Sequence, residues 1–333
     1  MSQTASPDPA YLNSNLWQMK QAAIGKTPFT VIFSDLDDSL YHPHRPEVTT
    51  KVFEYCAAKN WPIAVVTGVN IEGVLARSQK GQFPPPHLIV GHVSTDIWVL
   101  QGDQPTKESY LQDMTFDKSL KEKFPRHEIV KKGAKICEEL AQAKPMLAFT
   151  FQESEREKEY LKTSAVTPEP YKVSFYFKAV SPEELASVNK LLQDSFPDQC
   201  ILVSDHTSHN RRFPEDAPMY CADILPVSKG DAVSYLADLL HIEQGIAAGD
   251  SGNDKELLLE TPSQFLSVVA GGAKAELTKV IKSLPITPTQ TPGLGKIEAF
   301  GKQPKFFYQE PHPEHLGPET ILEALPLLPV LYR

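Results

Sequence analysis

Two aspartates follow the first strongly apolar stretch of the sequence. Residues 27–36 read TPFTVIFSDL, a continuous run rich in β-branched and aromatic residues, which predicts a strand buried on both faces of a parallel sheet. Asp35 and Asp37 lie two residues apart at its carboxyl end, so strand alternation turns both toward the same side. Because neighbouring carboxylates repel each other, we expect a cation between them, and Mg²⁺ prefers such oxygen ligands.

This acidic pair has the residue types that phosphoryl transfer requires. We expect Asp35 to attack phosphorus and to form an aspartyl-phosphate. Asp37 would protonate the leaving alkoxide and then activate the water that hydrolyses the intermediate. An acidic loop or a helix N-cap is the alternative interpretation of the same residues.

A hydroxyl group and a glycine close the second predicted strand, PIAVVT at residues 62–67. Thr67 and Gly68 could hold a phosphoryl oxygen, because glycine lets the backbone amide approach closely. A turn of this composition is also common after strands that bind nothing.

Two further groups appear in the second half of the chain. Lys229 lies near the start of the predicted helix SKGDAVSYLADLL, where a cation opposes the helix dipole unless it faces an anion; a solvated surface lysine is the alternative. The loop GDSGND at residues 249–254 adds more carboxylates after another strand. Asp250 is the better candidate for a direct magnesium ligand. Asp254 could bind the metal through water or orient Lys229, and Asn253 could donate to phosphate. A calcium-binding loop or a plain turn is the alternative.

The elements around these groups alternate between strand and helix, which predicts an α/β fold with a Rossmann-like parallel sheet as its core. Open parallel sheets bind ligands at the carboxyl ends of their strands, so all of these groups would meet at one edge. The middle of the chain has half-exposed strands and amphipathic helices, which predict an α+β insert. The expected domains are a loosely attached polar arm (residues 1–27), the core (28–104 and 219–333) and the insert (105–218).

The composition excludes several classes of partner. The chain has 333 residues and a formal net charge of −9, which argues against nucleic acid and anionic membrane surfaces, because both demand a basic face. No apolar run approaches the roughly 20 residues of a membrane span, and the N-terminus lacks a signal-peptide pattern. The four cysteines show no spacing typical of a disulfide framework or a zinc site. We therefore expect a cytoplasmic protein with a small-molecule partner.

Taken together, the motifs resemble those of the haloacid dehalogenase superfamily, which combine DxDx(T/S), a strand-end serine or threonine, a lysine and a GDxxxD loop. The match covers residues 28–100 and 219–282. The long insert between the second and third motifs resembles the Cof-type subgroup. Within it the chain is most similar to the sucrose-phosphate phosphatases, through the segments FSDLDDSL, VGHVSTDIWV, YKVSFYF, DILPVSKGDAVSYL and AAGDSGND.

This resemblance implies a phosphate monoester as substrate and a cap domain that grips its sugar. By position it implies magnesium ligands at Asp35, at Asp250 and at the backbone carbonyl of Asp37. It also implies four contacts with phosphate, from Thr67, Gly68, Lys229 and Asn253.

The resemblance also suggests two residues that contact the sugar, and the sequence departs from the family pattern at two places. Thr95 and Asp96 sit near a strand end and become candidates for contact with the sugar. The turn after the second strand has Val69 where these phosphatases usually carry arginine, and residues 204–218 form an unusual stretch.

The leading hypothesis is hydrolysis of a sugar phosphate by a magnesium-dependent phosphatase. A phosphosugar mutase on the same core is an alternative, because mutases carry the same acid as Asp37. A non-catalytic sugar-phosphate-binding protein of the same fold is a further alternative.

Overall fold

The computed structural model describes residues 8–147, 149–151, 170–179, 181–205, 219–283, 287–289, 297–299, 305–308 and 316–331. Most of the unusual stretch 204–218 lies outside these residues. The chain divides into two compact units. One comprises residues 1–117 and 228–333, and the other comprises residues 118–227.

The described strands, in chain order, are β1 Thr30–Ser34, β2 Ile63–Val66, β3 Leu88–Gly91, β4 Asp96–Leu100, β5 Tyr110–Gln112, β6 Thr150–Phe151, β7 Val173–Lys178, β8 Cys200–Asp205, β9 Met219–Leu225, β10 Gln244–Gly249, β11 Phe265–Val269, β12 Thr287–Thr289, β13 Ile297–Ala299 and β14 Lys305–Tyr308. The described α-helices are α1 Pro9–Leu12, α2 Asn15–Ala23, α3 Pro46–Lys59, α4 Ile71–Gln79, α5 Met114–Lys123, α6 Arg126–Ala143, α7 Pro182–Ser195, α8 Lys229–Leu240, α9 Lys255–Leu259, α10 Ala275–Ser283, α11 Gly317–Ala324 and α12 Leu328–Leu331.

The first unit is built on a sheet with the strand order β12-β13-β14-β11-β10-β1-β2-β3-β4-β5. The six strands from β14 to β3 in this order run parallel to one another. At the centre, Ser34 of β1 is level with Ala248 of β10 and Val65 of β2. The carboxyl ends of these three strands therefore meet at one edge.

The apolar runs of the sequence explain why this sheet forms. Every residue of β1, β2, β10 and β11 is buried, as expected for strands covered on both faces. Amphipathic helices such as α3 supply the covering layers, and α3 begins at Pro46, a residue suited to a first helical turn. The predicted α/β fold with a Rossmann-like core is confirmed.

The second unit contains an antiparallel sheet of order β6-β7-β9-β8 together with the helices α6 and α7. Its bounds differ from the expected insert of residues 105–218. The chain from Tyr110 to Gln112 forms β5, which pairs with β4 in the large sheet. Met219–Leu225 forms β9, which pairs with β7 and β8 in the small sheet. Because of this pairing, the second unit begins and ends later in the chain than the expected insert, at residues 118 and 227.

The expectation of a loosely attached N-terminal arm is wrong for residues 8–23. This segment forms α1 and α2, in which Tyr11 and Leu16 are fully buried. The Tyr11 hydroxyl donates to Asp113 Oδ2 at 2.8 Å, and the Tyr235 hydroxyl donates to the same oxygen at 2.9 Å. These hydrogen bonds tie the segment to residues that are distant in sequence.

The proline-rich stretch 285–318 contributes three short strands to one side of the large sheet, β12 to β14. Helix α11 then returns to the core, where Ile321 and Ala324 are buried. Across the described parts of the chain, no helix is both long and apolar enough to span a membrane.

Candidate active site

Asp35 and Lys229 form a buried ion pair at the carboxyl edge of the large sheet. Asp35 directly follows β1, and its amide donates to Ala248 of β10 at 2.8 Å. Lys229 is the first residue of α8, where Ser228 and Asp231 form a capping box that fixes the start of the helix. The Nζ atom of Lys229 donates to Asp35 Oδ1 at 2.7 Å and to Asp254 Oδ1 at 2.6 Å. The predicted orientation of Lys229 toward anions is therefore seen in the structure.

The acidic loop after β10 holds Asp254 more firmly than the sequence suggested. Its Oδ1 accepts from Lys229, and its Oδ2 accepts from the amides of Asp250 and Ser251, each at 3.1 Å. A side chain with these partners organises the loop and orients the lysine. Among the described residues, the carboxylate of Asp250 instead has one hydrogen-bond partner, the hydroxyl of Ser39, which donates to Asp250 Oδ1 at 3.0 Å.

Burial and crowding of charge control the protonation of this cluster. Burial raises the pKa of Asp35 well above its usual range, and Asp254 and Asp250 raise it further against the opposing effect of Lys229. Burial and Asp254 raise the pKa of Asp250 to about 7. Burial lowers the pKa of Lys229, but Asp254 and Asp35 outweigh it and leave the pKa raised, so Lys229 stays cationic.

Three carboxylates could share a metal ion. Asp35, Asp250 and Asp254 each offer an oxygen, and these oxygens lie within 4.8 Å of one another. Burial and the mutual proximity of these acids raise the pKa values of Asp35 and Asp250, so a bound cation would favour their ionised forms. A hard divalent cation fits this set of oxygen donors. Because Asp254 is already bound by Lys229 and two amides, Asp35 and Asp250 are the better placed ligands.

Asp37 lies apart from the three clustered carboxylates. Its side chain is 58% exposed, and its Oδ1 accepts from an Nη of Arg77 at 2.7 Å. The guanidinium group of Arg77 lies over the rings of Tyr41 and Phe83, at 5.0 and 5.9 Å from their centroids. Sequence reasoning missed Arg77, because an arginine in an amphipathic helix looks like an ordinary surface residue.

The turn after β2 places Thr67 and Gly68 at the same edge of the sheet. Thr67 is buried, its amide donates to Val90 at 2.8 Å, and its Oγ1 accepts from the amide of Val69 at 3.2 Å. At Gly68 an added Cβ would meet only Val93, at 3.6 Å, so the backbone is accessible.

A left-handed turn between β3 and β4 packs against that turn. His92, Val93 and Ser94 have φ angles of 48°, 58° and 73°. The amide of Val93 donates to Thr67 O at 3.0 Å, and that of His92 donates to the carbonyl of Val69 at 3.2 Å. The candidates for sugar contact follow directly after this left-handed turn.

Of the candidates for sugar contact, both Thr95 and Asp96 are buried. The Thr95 hydroxyl donates to His92 O at 3.0 Å, and Asp96 Oδ2 lies 2.8 Å from His92 Nδ1. Asp96 Oδ1 has no hydrogen-bond partner among the described residues. Asn253, the candidate for phosphate contact, accepts a hydrogen bond from the Ser251 hydroxyl through its Oδ1.

Comparison with known proteins identifies the family. The family model described as sucrose-6F-phosphate phosphohydrolase matches residues 28–287, which include every motif described above. The chain belongs to this family. It is thus a sugar phosphatase of the haloacid dehalogenase type, a phosphoric monoester hydrolase, as the sequence predicts.

A solved structure of a sucrose-phosphatase agrees with this family at the level of the fold. The chain is similar to the sucrose-phosphatase from Synechocystis sp. PCC6803, solved in complex with sucrose and phosphate, with a TM-score of 0.60 and 18% identity over 91% of this chain and 99% of that one. A haloacid dehalogenase-like hydrolase protein from Bacillus subtilis matches with a TM-score of 0.47 and 18% identity, over 76% of this chain and 85% of that one. No curated protein matches the chain significantly.

Proposed function

We propose that this family member is a magnesium-dependent phosphatase that hydrolyses a sucrose-phosphate-like sugar phosphate through an aspartyl-phosphate on Asp35. The observation that carries the proposal is the position of Lys229, fully buried between Asp35 and Asp254. A lysine is desolvated in this way only where strong anionic partners compensate for the loss of water. The dianionic phosphoryl group would enter beside it.

The residues of the chain divide the reaction between them. Asp35 attacks phosphorus and forms the phosphoenzyme, while Lys229 neutralises charge on the nucleophile and on the phosphoryl oxygens. Asp37 transfers a proton to the departing alkoxide and takes a proton from the water that hydrolyses the intermediate. Thr67, Gly68 and Asn253 would bind the remaining phosphoryl oxygens.

A magnesium ion would be held by Asp35, Asp250 and the carbonyl oxygen of Asp37. When bound, it supplies charge neutralisation for the phosphoryl oxygens and the carboxylates. The three carboxylate oxygens of Asp35, Asp250 and Asp254, all within 4.8 Å of one another, support this role.

The substrate class rests on the family and on the candidates for sugar contact. The matching family model is named for a phosphorylated sucrose, and the Synechocystis enzyme binds sucrose together with phosphate. We propose that Thr95 and Asp96 contact the sugar. Asp96 Oδ1 has no hydrogen-bond partner within the described parts of the chain, which supports a polar partner there. The net charge of −9 favours a small phosphorylated ligand over nucleic acid or an anionic membrane.

The test is phosphate release from sucrose 6-phosphate, glycosylglycerol and glycosylglycerate phosphates and hexose phosphates in the presence of Mg²⁺. Asp35→Asn should abolish release, because an amide cannot serve as the nucleophile. Asp38→Asn is the matched control, since Asp38 is exposed and asparagine tolerates its φ of 59°. Equal activity of Asp35→Asn and the wild type would refute the proposal. Formation of an isomer without free phosphate would indicate a mutase, and binding without turnover would indicate a non-catalytic protein.

A further inference from the structure

Asp37, the general acid and base of the proposed reaction, is bound by Arg77, a residue outside the phosphatase motifs. Arg77 lies in the last turn of α4, and its Nη donates to Asp37 Oδ1 at 2.7 Å. The turn between β2 and α4, residues 67–70, carries no cationic side chain of its own. Among the described residues, Arg77 is the cation that forms an ion pair with Asp37.

The surroundings of Arg77 distinguish this contact from an ordinary surface ion pair. Exposed ion pairs are weak because two long side chains must lose freedom to meet. The Arg77 side chain is only 21% exposed, and its guanidinium group lies over the rings of Tyr41 and Phe83. Its Nε also donates to Gln82 Oε1 at 3.0 Å. These two rings and the hydrogen bond to Gln82 therefore hold the guanidinium group in place independently of its contact with the Asp37 carboxylate.

One of these rings also belongs to the segment that carries Asp37. Tyr41 follows Asp37 by four residues, and the two form an isolated parallel bridge, in which the Asp38 amide donates to Tyr41 O at 2.9 Å. Tyr41 also packs edge-on against Phe83, with ring centroids 6.0 Å apart. The position of Arg77 is therefore coupled to the backbone that holds the acid and base.

We propose that Arg77 is the positioning residue for Asp37. It occupies Oδ1, so that Oδ2 is the oxygen left to exchange a proton with the leaving alkoxide and with water. An otherwise exposed aspartate would sample several rotamers, and each unproductive one lowers the rate of proton transfer. This inference rests on the proposed function, because it assigns a role through Asp37 in that reaction.

The dependence of the rate on the leaving group tests this role. The ratio kcat/KM reports the steps up to departure of the leaving group. A sugar alkoxide needs a proton to depart, whereas p-nitrophenolate does not. In Arg77→Met we expect kcat/KM to fall about tenfold to a hundredfold for a sugar phosphate, and several-fold at most for p-nitrophenyl phosphate. Arg77→Lys should recover only part of the loss, because an ammonium group lacks the planar fork.

A double-mutant cycle separates positioning from a structural effect. In an Asp37→Asn background, Arg77→Met should cause little further loss on the sugar phosphate, because the group it positions is gone. Lys107→Met is the control, since Lys107 forms an exposed ion pair with Glu72, which lies on the same helix as Arg77. It should leave both substrates unaffected.

Three results would overturn the inference. They are equal losses on both substrates, additive losses in the double mutant, and an Arg77→Met enzyme as active as the wild type. If the wild type showed no phosphate release that depends on Asp35, the proposed function itself would be refuted, and this inference with it. That result is obtained before any Arg77 variant is compared.

Discussion

The Nζ atom of Lys229 lies 2.6 Å from Asp254 Oδ1, and neither side chain is exposed. Removing one partner of a buried pair leaves the other charge without compensation. Lys229→Met should therefore destabilise the fold by about 3 kcal/mol as well as abolish turnover. Chemical denaturation measures the first effect.

Lys255→Met provides the comparison for Lys229, because Lys255 is 48% exposed and lies 4.0 Å from Glu256. It should change the free energy of unfolding by less than about 1 kcal/mol. If Lys229→Met were as stable as Lys255→Met, the buried pair would not contribute as described.

Magnesium should stabilise the folded protein through Asp250. A ligand that binds only the folded state at about one hundred times its Kd adds about 2.7 kcal/mol. Thermal unfolding with and without Mg²⁺ should show this increase in the wild type and lose it in Asp250→Asn. Asp238→Asn removes an exposed acid of α8 and should keep the increase. The same magnesium response in both variants would place the ion elsewhere.

Gly317 is required where α11 meets the segment after β1. A Cβ atom at this position would lie 2.1 Å from Asp38 O and 2.4 Å from Ser39 O. Gly317→Ala must displace this segment, which includes the Ser39 hydroxyl that binds Asp250. We expect a loss of about 1–3 kcal/mol in stability and a weaker response to magnesium. Gly102→Ala, where an added Cβ meets nothing within 4 Å, should change neither.

His87 should make the fold sensitive to acid. Burial lowers its pKa to about 4, and its Nδ1 accepts from the amide of Ile63 at 3.2 Å. Below the unfolded pKa of 6.5 the unfolded chain binds the proton first, so stability falls as the pH drops from 6.5 to 4, by about 3 kcal/mol at most.

His87→Asn keeps an acceptor but cannot titrate, so denaturation between pH 4 and 7 should show a shallower loss. The exposed His241 offers the control, and His241→Asn should retain the slope of the wild type. An unchanged slope in His87→Asn would assign the acid sensitivity to other groups.

Ser94 combines a φ of 73° with a buried hydroxyl that has no hydrogen-bond partner among the described residues. Glycine adopts this backbone conformation without strain and removes the unpaired hydroxyl. Ser94→Gly should therefore raise the free energy of unfolding by about 1 kcal/mol. Asn60→Gly, at a φ of 56°, should gain less, because asparagine already tolerates this region. Equal gains would argue against strain at Ser94.

Strand-end motifs were predictable because a buried parallel strand has a distinctive composition. The run before Asp35 is rich in β-branched and aromatic residues, and β1 is buried at every position. In an open parallel sheet, the residues that follow such strands lie at one edge, where ligands bind. Lys229 was found by its unusual place at a helix start, and the structure directs it to two carboxylates.

Other features depend on partners that are distant in sequence and leave no local pattern. Tyr11 is buried because Asp113, about a hundred residues later, accepts its hydroxyl hydrogen bond. The sequence predicted that residues from 219 onward belong to the core, but pairing with β7 and β8 assigns β9 to the small sheet. Arg77 and Ser39 gain their importance only from the side chains they bind, Asp37 and Asp250.

The central place of β1 has a consequence for synthesis on the ribosome. β1 lies between β2 and β10, and β10 ends at Gly249. One side of β1 therefore stays unpaired until Gly249 has emerged, whereas the unit of residues 118–227 is continuous and can fold as soon as it is made. During translation the nascent chain carries an exposed apolar strand edge, a state that is prone to aggregation and that chaperones protect.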